Sequence, residues 1–213
     1  IVKINCFSKK SIKKALKKID LAIHLVGMNK VDSINNPKKS VYLKKKVTEN
    51  IIDSAIENKC KIIYFSSIQV YKNFFSKKKI NEKSKTVISN SYVKGHLIAE
   101  KILKSKKNKF NQIAILRLSS VFGANILNTS KELIYTLGNN FCYQAIKKNS
   151  IQVENPDIVR NFLPSKILIS TLNYLILKNF TKFQIYNIGY KSFTLGNLSK
   201  IISYRFQYKF KKK

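Results

Sequence analysis

Two kinds of segment alternate along the first 125 residues of the sequence. Short apolar runs rich in β-branched residues lie at 21–26, 61–65 and 112–118, and each predicts a strand that is buried on both faces. Between them, 40–58 and 92–103 carry apolar residues at helical spacing. The order strand, helix, strand, helix, strand is typical of a parallel sheet with right-handed crossovers, so this part predicts a doubly wound α/β layer.

The periodicity is less regular after Gly123. The apolar spacing there still predicts helices and short strands, which would form a smaller lobe. The predicted elements are helices near 130–143, at 165–177 and from 194 to about 203, and strands at 151–153 and 184–188. We therefore divide the chain into a sheet domain at 1–125, the smaller lobe at 126–205 and a basic tail at 206–213, whose end we expect to fray.

Basic residues far outnumber acidic ones. The sequence has 42 Lys and Arg against 10 Asp and Glu, a formal net charge of +32, which raises nucleic acid or an anionic membrane surface as a partner. Only three of the basic residues are Arg, however, and bidentate recognition of bases and phosphates favours Arg over Lys. The Lys excess fits the composition of an AT-rich genome, so we predict solvated Lys groups, such as Lys44 to Lys46, and no nucleic-acid partner.

The sequence carries few residues that bind metals or form disulfides. Its three cysteines, Cys6, Cys60 and Cys142, stand far apart without a C-x-x-C pair, and only two His accompany them. We therefore predict no metal site and a reducing, cytoplasmic compartment. The longest apolar stretch, 167–177, is too short and too polar to span a bilayer, so no membrane partner is expected, and no signal peptide is visible.

The most informative stretch is SYVKGHLIAE at 91–100, together with YFSSIQVY at 64–71. A Ser at the end of a parallel strand and a Tyr at the start of a later helix both lie at the carboxyl edge of the sheet, where α/β proteins bind ligands. The two stretches resemble the extended short-chain dehydrogenase/reductase family, the epimerases and dehydratases of nucleotide-activated sugars. In that family a strand ends in S-S-x-x-V-Y, and a helix begins Y-x-x-x-K with a Glu four residues after the Lys.

Further segments follow in the order of the family's motifs across nearly the whole chain. LAIHLVG resembles a strand that ends in H-L-A-G, TENIIDSA resembles T-x-N-L-L-E-A-A, and LRLSSVFG resembles L-R-x-S-N-V-Y-G. VRNFLPS is similar to V-R-D-F-V-H-V, and YNIG followed by T-L-x-x-L is similar to the segment that closes the substrate lobe. Because the segments follow the order of the family's motifs, chance does not explain their resemblance to it.

The resemblance implies a partial Rossmann-type doubly wound parallel sheet with a smaller C-terminal α/β substrate lobe. It also implies NAD or NADP as cofactor and a nucleotide-linked sugar as substrate. Hydride transfer would lead to epimerisation, dehydration or reduction in the synthesis of a surface polysaccharide or glycoconjugate. A homodimer is compatible with this interpretation. Two others stay open: a non-catalytic binder of nucleic acid or other anions that reuses the fold, and an inactive fragment.

The family's functional residues carry over onto matching positions. Tyr92 would exchange the hydroxyl proton and Ser67 would hydrogen-bond the same oxygen, although a packing role is the alternative for Tyr92. The expected catalytic residues are Ser67, Tyr92 and His96; the expected cofactor contacts are Asn5, Val26, Gly27, Tyr92, His96 and Ser119; the expected substrate contacts are Ser67, Ser120 and Arg160.

The remaining polar residues of the motifs have expected roles of their own. The Arg that matches Arg160 contacts the sugar-nucleotide diphosphate in the family, and the alternative is a local ion pair with Glu154 or Asp157. The others are expected to be structural: His24 satisfied by backbone groups, Ser66 facing the core or capping a turn, and Arg117 packing its stem and capping a carbonyl.

The sequence departs from the family at two places. Its six Gly include no G-x-x-G-x-x-G, the loop that approaches the dinucleotide pyrophosphate, so aligned by its motifs the chain begins at about the family's third strand and is a fragment or a truncated fold. The Lys of Y-x-x-x-K is His96, which is mostly neutral at pH 7. Lys94 cannot replace it, because two residues along a helix place Lys94 opposite Tyr92.

Overall fold

The computed structural model describes residues 2–72, 79–123 and 136–210. The described residues form seven α-helices and seven strands. The helices are α1 (Lys9–Ala15), α2 (Lys30–Asn35), α3 (Pro37–Asn58), α4 (Ser91–Ser105), α5 (Leu137–Lys148), α6 (Ser165–Leu177) and α7 (Leu195–Phe210). The strands are β1 (Leu21–His24), β2 (Lys61–Ser67), β3 (Ile113–Leu118), β4 (Ser120–Phe122), β5 (Val159–Pro164), β6 (Gln184–Ile188) and β7 (Lys191–Thr194).

The larger sheet has the strand order β1-β2-β3-β6. β1 and β2 pair in parallel from Leu21 opposite Lys61 to His24 opposite Tyr64, which confirms the predicted parallel α/β layer. Burial of β2 and β3 also agrees with the prediction, since every residue of β3 is buried. The prediction is wrong for β1, where His24 is buried but Ile23 is 39% exposed, because β1 is an edge strand of the described sheet.

Helices α3 and α4 pack together against this sheet. α3 begins with Pro37, whose missing N–H is no loss in the first helical turn. The helix is ended by the following residue, Lys59, whose backbone has the left-handed conformation. α4 is capped by the side chain of Asn90, which accepts a hydrogen bond from the backbone N–H of Val93. The core that they cover is a cluster of fully buried side chains: Ile52, Ala55, Cys60, Ile62, Tyr64, Ala99, Leu103, Ile113 and Ile115.

A second, smaller sheet has the order β4-β5-β7. β4 and β5 are parallel, whereas β5 and β7 are antiparallel. Phe122, Phe162 and Phe193 contribute one ring from each strand, and the ring of Phe162 contacts both of the others. Helix α5 approaches this sheet at Gly138, where a Cβ atom would lie 3.3 Å from the Cβ of Phe122. The sequence pattern predicted neither β4 nor β7, because strands of three and four residues are too short to show a period.

Predictions for the C-terminal half succeed unevenly. α6 and β6 have the predicted bounds, while α5 runs on to Lys148 and its predicted beginning falls outside the described residues. The strand predicted at 151–153 is wrong, since the backbone N–H of Gln152 bonds to the side chain of Gln144 instead of a neighbouring strand. The predicted end of the last helix, at about 203, is also wrong, because α7 continues seven residues further, to Phe210.

Two compact units divide the described residues. One comprises the residues up to Lys72, Asn81–Arg117 and Lys178–Asn187, and the other comprises Leu118–Leu177 and the residues from Ile188 onward. The chain therefore returns to the first unit with β6. The predicted boundary at residue 125 stays a prediction. Within the described ranges, no helix has the length and apolar character needed to cross a bilayer.

Candidate functional site

Ser67 and Tyr92 meet at the carboxyl end of β2. Ser67 is the last residue of β2, and Tyr92 is the second residue of α4, whose start is fixed by the Asn90 cap. The Ser67 side chain is buried, accepts a hydrogen bond of 3.2 Å from the backbone N–H of Gln69, and lies close enough to the Tyr92 hydroxyl to lower its pKa. The structure thus brings together two of the three predicted catalytic residues.

The environment of Tyr92 favours its neutral phenol. Burial raises the pKa of Tyr92, and the hydrogen bond with Ser67 lowers it by less. The side chain is therefore protonated at neutral pH in the absence of a ligand. Its ionisation needs additional positive charge or hydrogen bonding at the site.

His96 lies beside Tyr92 on the buried face of α4. Its ring meets the Tyr92 ring edge to face, with 4.6 Å between the centroids, and its Nδ1 lies 2.8 Å from the Tyr64 hydroxyl. Burial first, then the charges of Lys44 and His24, lower the pKa of His96 to about 3. The predicted neutral imidazole is therefore present throughout the physiological pH range. Lys94 is exposed, as the helical spacing predicted.

Lys44 is a component of the site that the sequence prediction missed. It is only 7% exposed, so the prediction of a solvated group at 44–46 is wrong for this residue. Its Nζ donates a hydrogen bond of 2.8 Å to the carbonyl of Val26 and lies 5.5 Å from the centre of the Tyr64 ring. The signal was available, because Lys44 stands three residues before Val47 and seven before Ile51, on the apolar stripe of α3.

The Lys44 ammonium has an unusual environment for a charged group. Among the described residues no carboxylate pairs with it, and burial lowers its pKa to about 8. A side chain at position 27 would overlap Nζ, so Gly27 leaves the space that the ammonium occupies. Val26 and Gly27, two of the predicted cofactor contacts, are therefore held next to a buried positive charge.

His24 also differs from its prediction. Its Nε2 lies 3.0 Å from the hydroxyl of Thr48, which in turn donates to the carbonyl of Lys44 at 2.6 Å, so the partner is a side chain and not the backbone. Because that hydroxyl donates to the carbonyl, it accepts from an Nε2–H of His24. Nδ1 is then the unprotonated nitrogen, and it has no hydrogen-bond partner among the described residues. Burial and the Lys44 charge lower the pKa of His24 to about 3.

A buried ion pair between Glu100 and Arg117 joins α4 to β3. Glu100 accepts two hydrogen bonds from Arg117, at 3.0 Å from Nε and 2.6 Å from Nη2, and one of 2.5 Å from Ser66. Arg117 also donates to the carbonyl of Glu82 at 3.2 Å and to the hydroxyl of Tyr71 at 2.6 Å. The core-facing position predicted for Ser66 and the carbonyl cap predicted for Arg117 are confirmed. The bidentate pair with Glu100 was not predicted.

Four further predicted site residues are Asn5, Ser119, Ser120 and Arg160. Asn5 is exposed, and its Oδ1 accepts a hydrogen bond from the backbone N–H of Phe7. Ser119 is buried between β3 and β4, and its hydroxyl has no hydrogen-bond partner among the described residues. Ser120 begins β4 opposite Phe162. Arg160 is half-buried on β5, and burial lowers the pKa of its guanidinium. Ser119, Ser120 and Arg160 belong to the second compact unit.

A nicotinamide dinucleotide would find part of its binding groups here. Lys44 is a buried donor with spare N–H groups, and the side chains of Ser67 and Tyr92 lie together at the end of β2. These residues fit the nicotinamide and ribose portion of such a cofactor. The glycine-rich pyrophosphate loop is not among the 213 residues. Within the described ranges no three His, Cys, Asp or Glu side chains cluster as metal ligands do.

Comparisons with known proteins identify the chain's relatives. The family model described as the 3-beta hydroxysteroid dehydrogenase/isomerase family matches residues 1–163. No curated protein matches the sequence.

Three solved structures illustrate the likeness of fold. A UDP-N-acetylglucosamine 4-epimerase from Bacillus cereus is 22% identical, with a TM-score of 0.80, over 96% of this chain and 68% of that one. A UDP-N-acetylglucosamine 4-epimerase from Methanobrevibacter ruminantium, in complex with UDP-N-acetylmuramic acid, is also 22% identical, with a TM-score of 0.77, over 90% and 62%. RMD from Pseudomonas aeruginosa, complexed with NADPH, is 18% identical, with a TM-score of 0.78, over 97% and 73%.

These likenesses show a Rossmann-type fold, as predicted, and the chain spans about two thirds of the length of these proteins. The family match covers well over half of the sequence. The chain belongs to the 3-beta hydroxysteroid dehydrogenase/isomerase family, within the extended short-chain dehydrogenases/reductases.

Proposed function

We propose that this chain forms the catalytic part of an NAD(P)-dependent enzyme that epimerises, dehydrates or reduces a nucleotide-linked sugar. The observation that carries the proposal is the placement of Ser67 and Tyr92 side by side at the carboxyl end of β2, close enough for Ser67 to lower the pKa of Tyr92. A Ser and a Tyr in this position can hydrogen-bond one substrate oxygen together, while the Tyr exchanges its proton.

The relatives support a sugar nucleotide as the substrate class. Two of the reported structures are UDP-N-acetylglucosamine 4-epimerases, and one of them contains UDP-N-acetylmuramic acid. RMD contains NADPH, which supports a nicotinamide cofactor for this chain and leaves the choice between NAD and NADP open. We assign the product to the synthesis of a surface polysaccharide or glycoconjugate.

Each residue of the site has a defined part in this chemistry. A bound nicotinamide would supply hydride exchange with a sugar carbon. Tyr92 gives or takes the proton of the hydroxyl at that carbon, and Ser67 holds the same oxygen by a hydrogen bond. His96 stays neutral and, through its contact with the Tyr92 ring, fixes the position of the phenol. Its Nδ1 is anchored by Tyr64, which prevents the imidazole from turning.

Three of the predicted contact residues lie in the second compact unit, and their roles stay proposals. Arg160 is one of only three Arg in the chain, and a guanidinium pairs with a diphosphate through two parallel hydrogen bonds. We propose that Arg160 binds the diphosphate of the sugar nucleotide. Ser120 would contact the sugar, and Ser119, with its spare hydroxyl, would contact the nicotinamide portion. Asn5 would contact the adenine of the dinucleotide.

Turnover by an extended form tests the proposal. The extended form is this chain preceded by a segment that contains a strand and the G-x-x-G-x-x-G loop of the family motif. It is incubated with UDP-N-acetylglucosamine or a dTDP-hexose and either NAD or NADP, and the products are separated by chromatography. We expect conversion of a nucleotide sugar. Conversion of a 3β-hydroxysteroid in a parallel assay, with no conversion of any nucleotide sugar, would replace the proposed substrate class.

A further inference from the structure

A buried lysine without an acidic partner lies at the edge of the proposed cofactor site. Lys44 is 93% removed from solvent, since its exposed fraction is 7%. An ammonium has three N–H donors, and the structure accounts for one of them, in the hydrogen bond of 2.8 Å to the Val26 carbonyl. Among the described residues no side chain accepts from the other two. Burying a charge in this way is costly unless something binds it.

The position of the ammonium favours a ligand as the missing acceptor. Nζ fills the space beside Gly27 that a side chain would need. The charge therefore lies next to Gly27, which is exposed. The stem of the lysine packs against Gly95 of α4 and its charge faces the ring of Tyr64. The ammonium is therefore held in one place by three elements, with its spare donors available to a group bound at Val26 and Gly27.

We propose that Lys44 is a cofactor-binding residue that donates hydrogen bonds from α3 to an oxygen of the dinucleotide beside Gly27, supplying the positive charge that His96 does not. The proposal rests on the function proposed above. It assigns to this chain a binding residue on α3 that lies four residues before the family motif at 48–55 and to which no motif pointed. The oxygen belongs either to a ribose hydroxyl or to a phosphate, and both accept from an ammonium.

Lys44 is the group in this cluster that changes its charge near neutral pH, because the pKa values of the titratable groups around it lie far from neutrality. His24 on β1 and His96 on α4 have pKa values lowered to about 3, so both are neutral above pH 6. Tyr64 on β2 and Tyr92 on α4 have pKa values raised by burial, so both stay protonated. Lys44, whose pKa is lowered to about 8, loses its charge in the range where these groups do not titrate.

Weak binding by the 213-residue chain itself tests this role. Two probes are titrated at millimolar concentrations and followed by NMR of the chain's two His side chains: ADP-ribose, which carries phosphates, and nicotinamide riboside, which carries ribose hydroxyls and no phosphate. Lys44→Met keeps the length of the side chain, Lys44→Arg keeps a charge that does not titrate, and Lys45→Met removes a neighbouring exposed charge as the matched control. Circular dichroism verifies that each variant is folded.

We expect Lys44→Met to weaken binding by about tenfold or more, as the loss of a charged hydrogen bond does, and Lys45→Met to leave it unchanged. Parental affinity should fall between about pH 7 and pH 9.5, whereas that of Lys44→Arg should not. If Lys44→Met binds only ADP-ribose more weakly than the parent does, Lys44 contacts a phosphate. If it binds both probes more weakly, Lys44 contacts a ribose. If Lys44→Met does not fold, the pH dependence of the parent's affinity, compared with that of Lys44→Arg, tests the role of Lys44.

Two results would overturn the role of Lys44, and they are distinguishable. Equal, pH-independent binding by the parent and both Lys44 variants removes Lys44 from the site and leaves the cofactor pocket intact. Absence of binding by every form, with the His signals of the parent unchanged at the highest probe concentration, removes the cofactor contact at Lys44, whereas turnover by the extended form decides the proposed function separately.

Discussion

The hydroxyl of Tyr64 lies 2.8 Å from Nδ1 of His96, and both side chains are buried. This contact joins the middle of β2 to the first turns of α4. It orients the imidazole that meets the Tyr92 ring at 4.6 Å. A neutral His held by a Tyr thus stands where the family has a charged Lys, and the nearest buried ammonium described, that of Lys44, comes from α3.

Removing the Tyr64 hydroxyl should destabilise the chain. Tyr64→Phe leaves the buried Nδ1 of His96 without a partner, which costs about 1–3 kcal/mol. Urea unfolding followed by circular dichroism measures the difference. Tyr42→Phe is the control, because Tyr42 is 61% exposed and should change nothing. Equal stability of both variants and the parent would show that the Tyr64 contact contributes no net stability.

Lys44→Met should stabilise the chain in a pH-dependent way. The folded-state pKa of Lys44 is lowered from 10.5 to about 8 by burial, so between these pH values the unfolded chain binds more protons than the folded chain. The parental free energy of unfolding therefore rises with pH across this window. At pH 7 the variant should be more stable by up to about 3 kcal/mol, and the gain should shrink above pH 8.

Urea unfolding of parent, Lys44→Met and Lys45→Met at pH 7, 9 and 10.5 measures this effect. Lys45 is exposed, so its variant should follow the parent at each pH. A constant difference between Lys44→Met and the parent would mean that Lys44 titrates normally in the folded chain. A residue that costs stability in this way is one whose retention needs a functional reason.

The ion pair of Glu100 and Arg117 should be the most sensitive point of the first compact unit. Glu100→Gln leaves the guanidinium buried without its carboxylate, which costs about 3–5 kcal/mol. The matched control is Glu57→Gln, since Glu57 pairs with Lys9 and Lys13 at the surface. Thermal unfolding compares the two. A small loss for Glu100→Gln, equal to that of the control, would contradict the structural role assigned to the pair.

The sequence was a sufficient guide where the apolar pattern and the family motifs agree. β2, β3, α3 and α4 carry long buried stripes, and the motif order placed Ser67 and Tyr92 at one strand end. Short strands such as β4 and β7 were missed, because three or four residues do not establish a period. In the same way, the true β5 begins eight residues after the start of the strand predicted at 151.

Lys44 shows why part of the site could not be predicted. A Lys within a Lys-rich run is usually solvated, and the average composition outweighed its position on the apolar stripe of α3. The decisive information is three-dimensional: the space left by Gly27 and the carbonyl of Val26 lie 17 and 18 residues away in sequence. His24 was missed in a similar way, since its partner is Thr48 on the following helix.

Cofactor affinity should depend strongly on the glycine-rich loop. The 213 residues contain no G-x-x-G-x-x-G, so we expect the chain alone to bind NAD(H) or NADP(H) no better than millimolar. The extended form should bind at micromolar concentration, a difference of about 4 kcal/mol. Calorimetric titration of both forms measures it. Micromolar binding by the 213-residue chain would show that its main cofactor contacts lie elsewhere than proposed.

The turnover of Tyr92→Phe in the extended form tests the central claim most directly. The variant removes one hydroxyl and keeps the ring that packs on His96. With a nucleotide sugar and saturating NAD or NADP, kcat should fall by a factor of about 10²–10⁴, as expected for the loss of a general acid–base. Tyr42→Phe, at an exposed position, should retain full activity. Near-parental kcat for Tyr92→Phe would contradict the mechanism and leave Tyr92 as a packed aromatic at the start of α4.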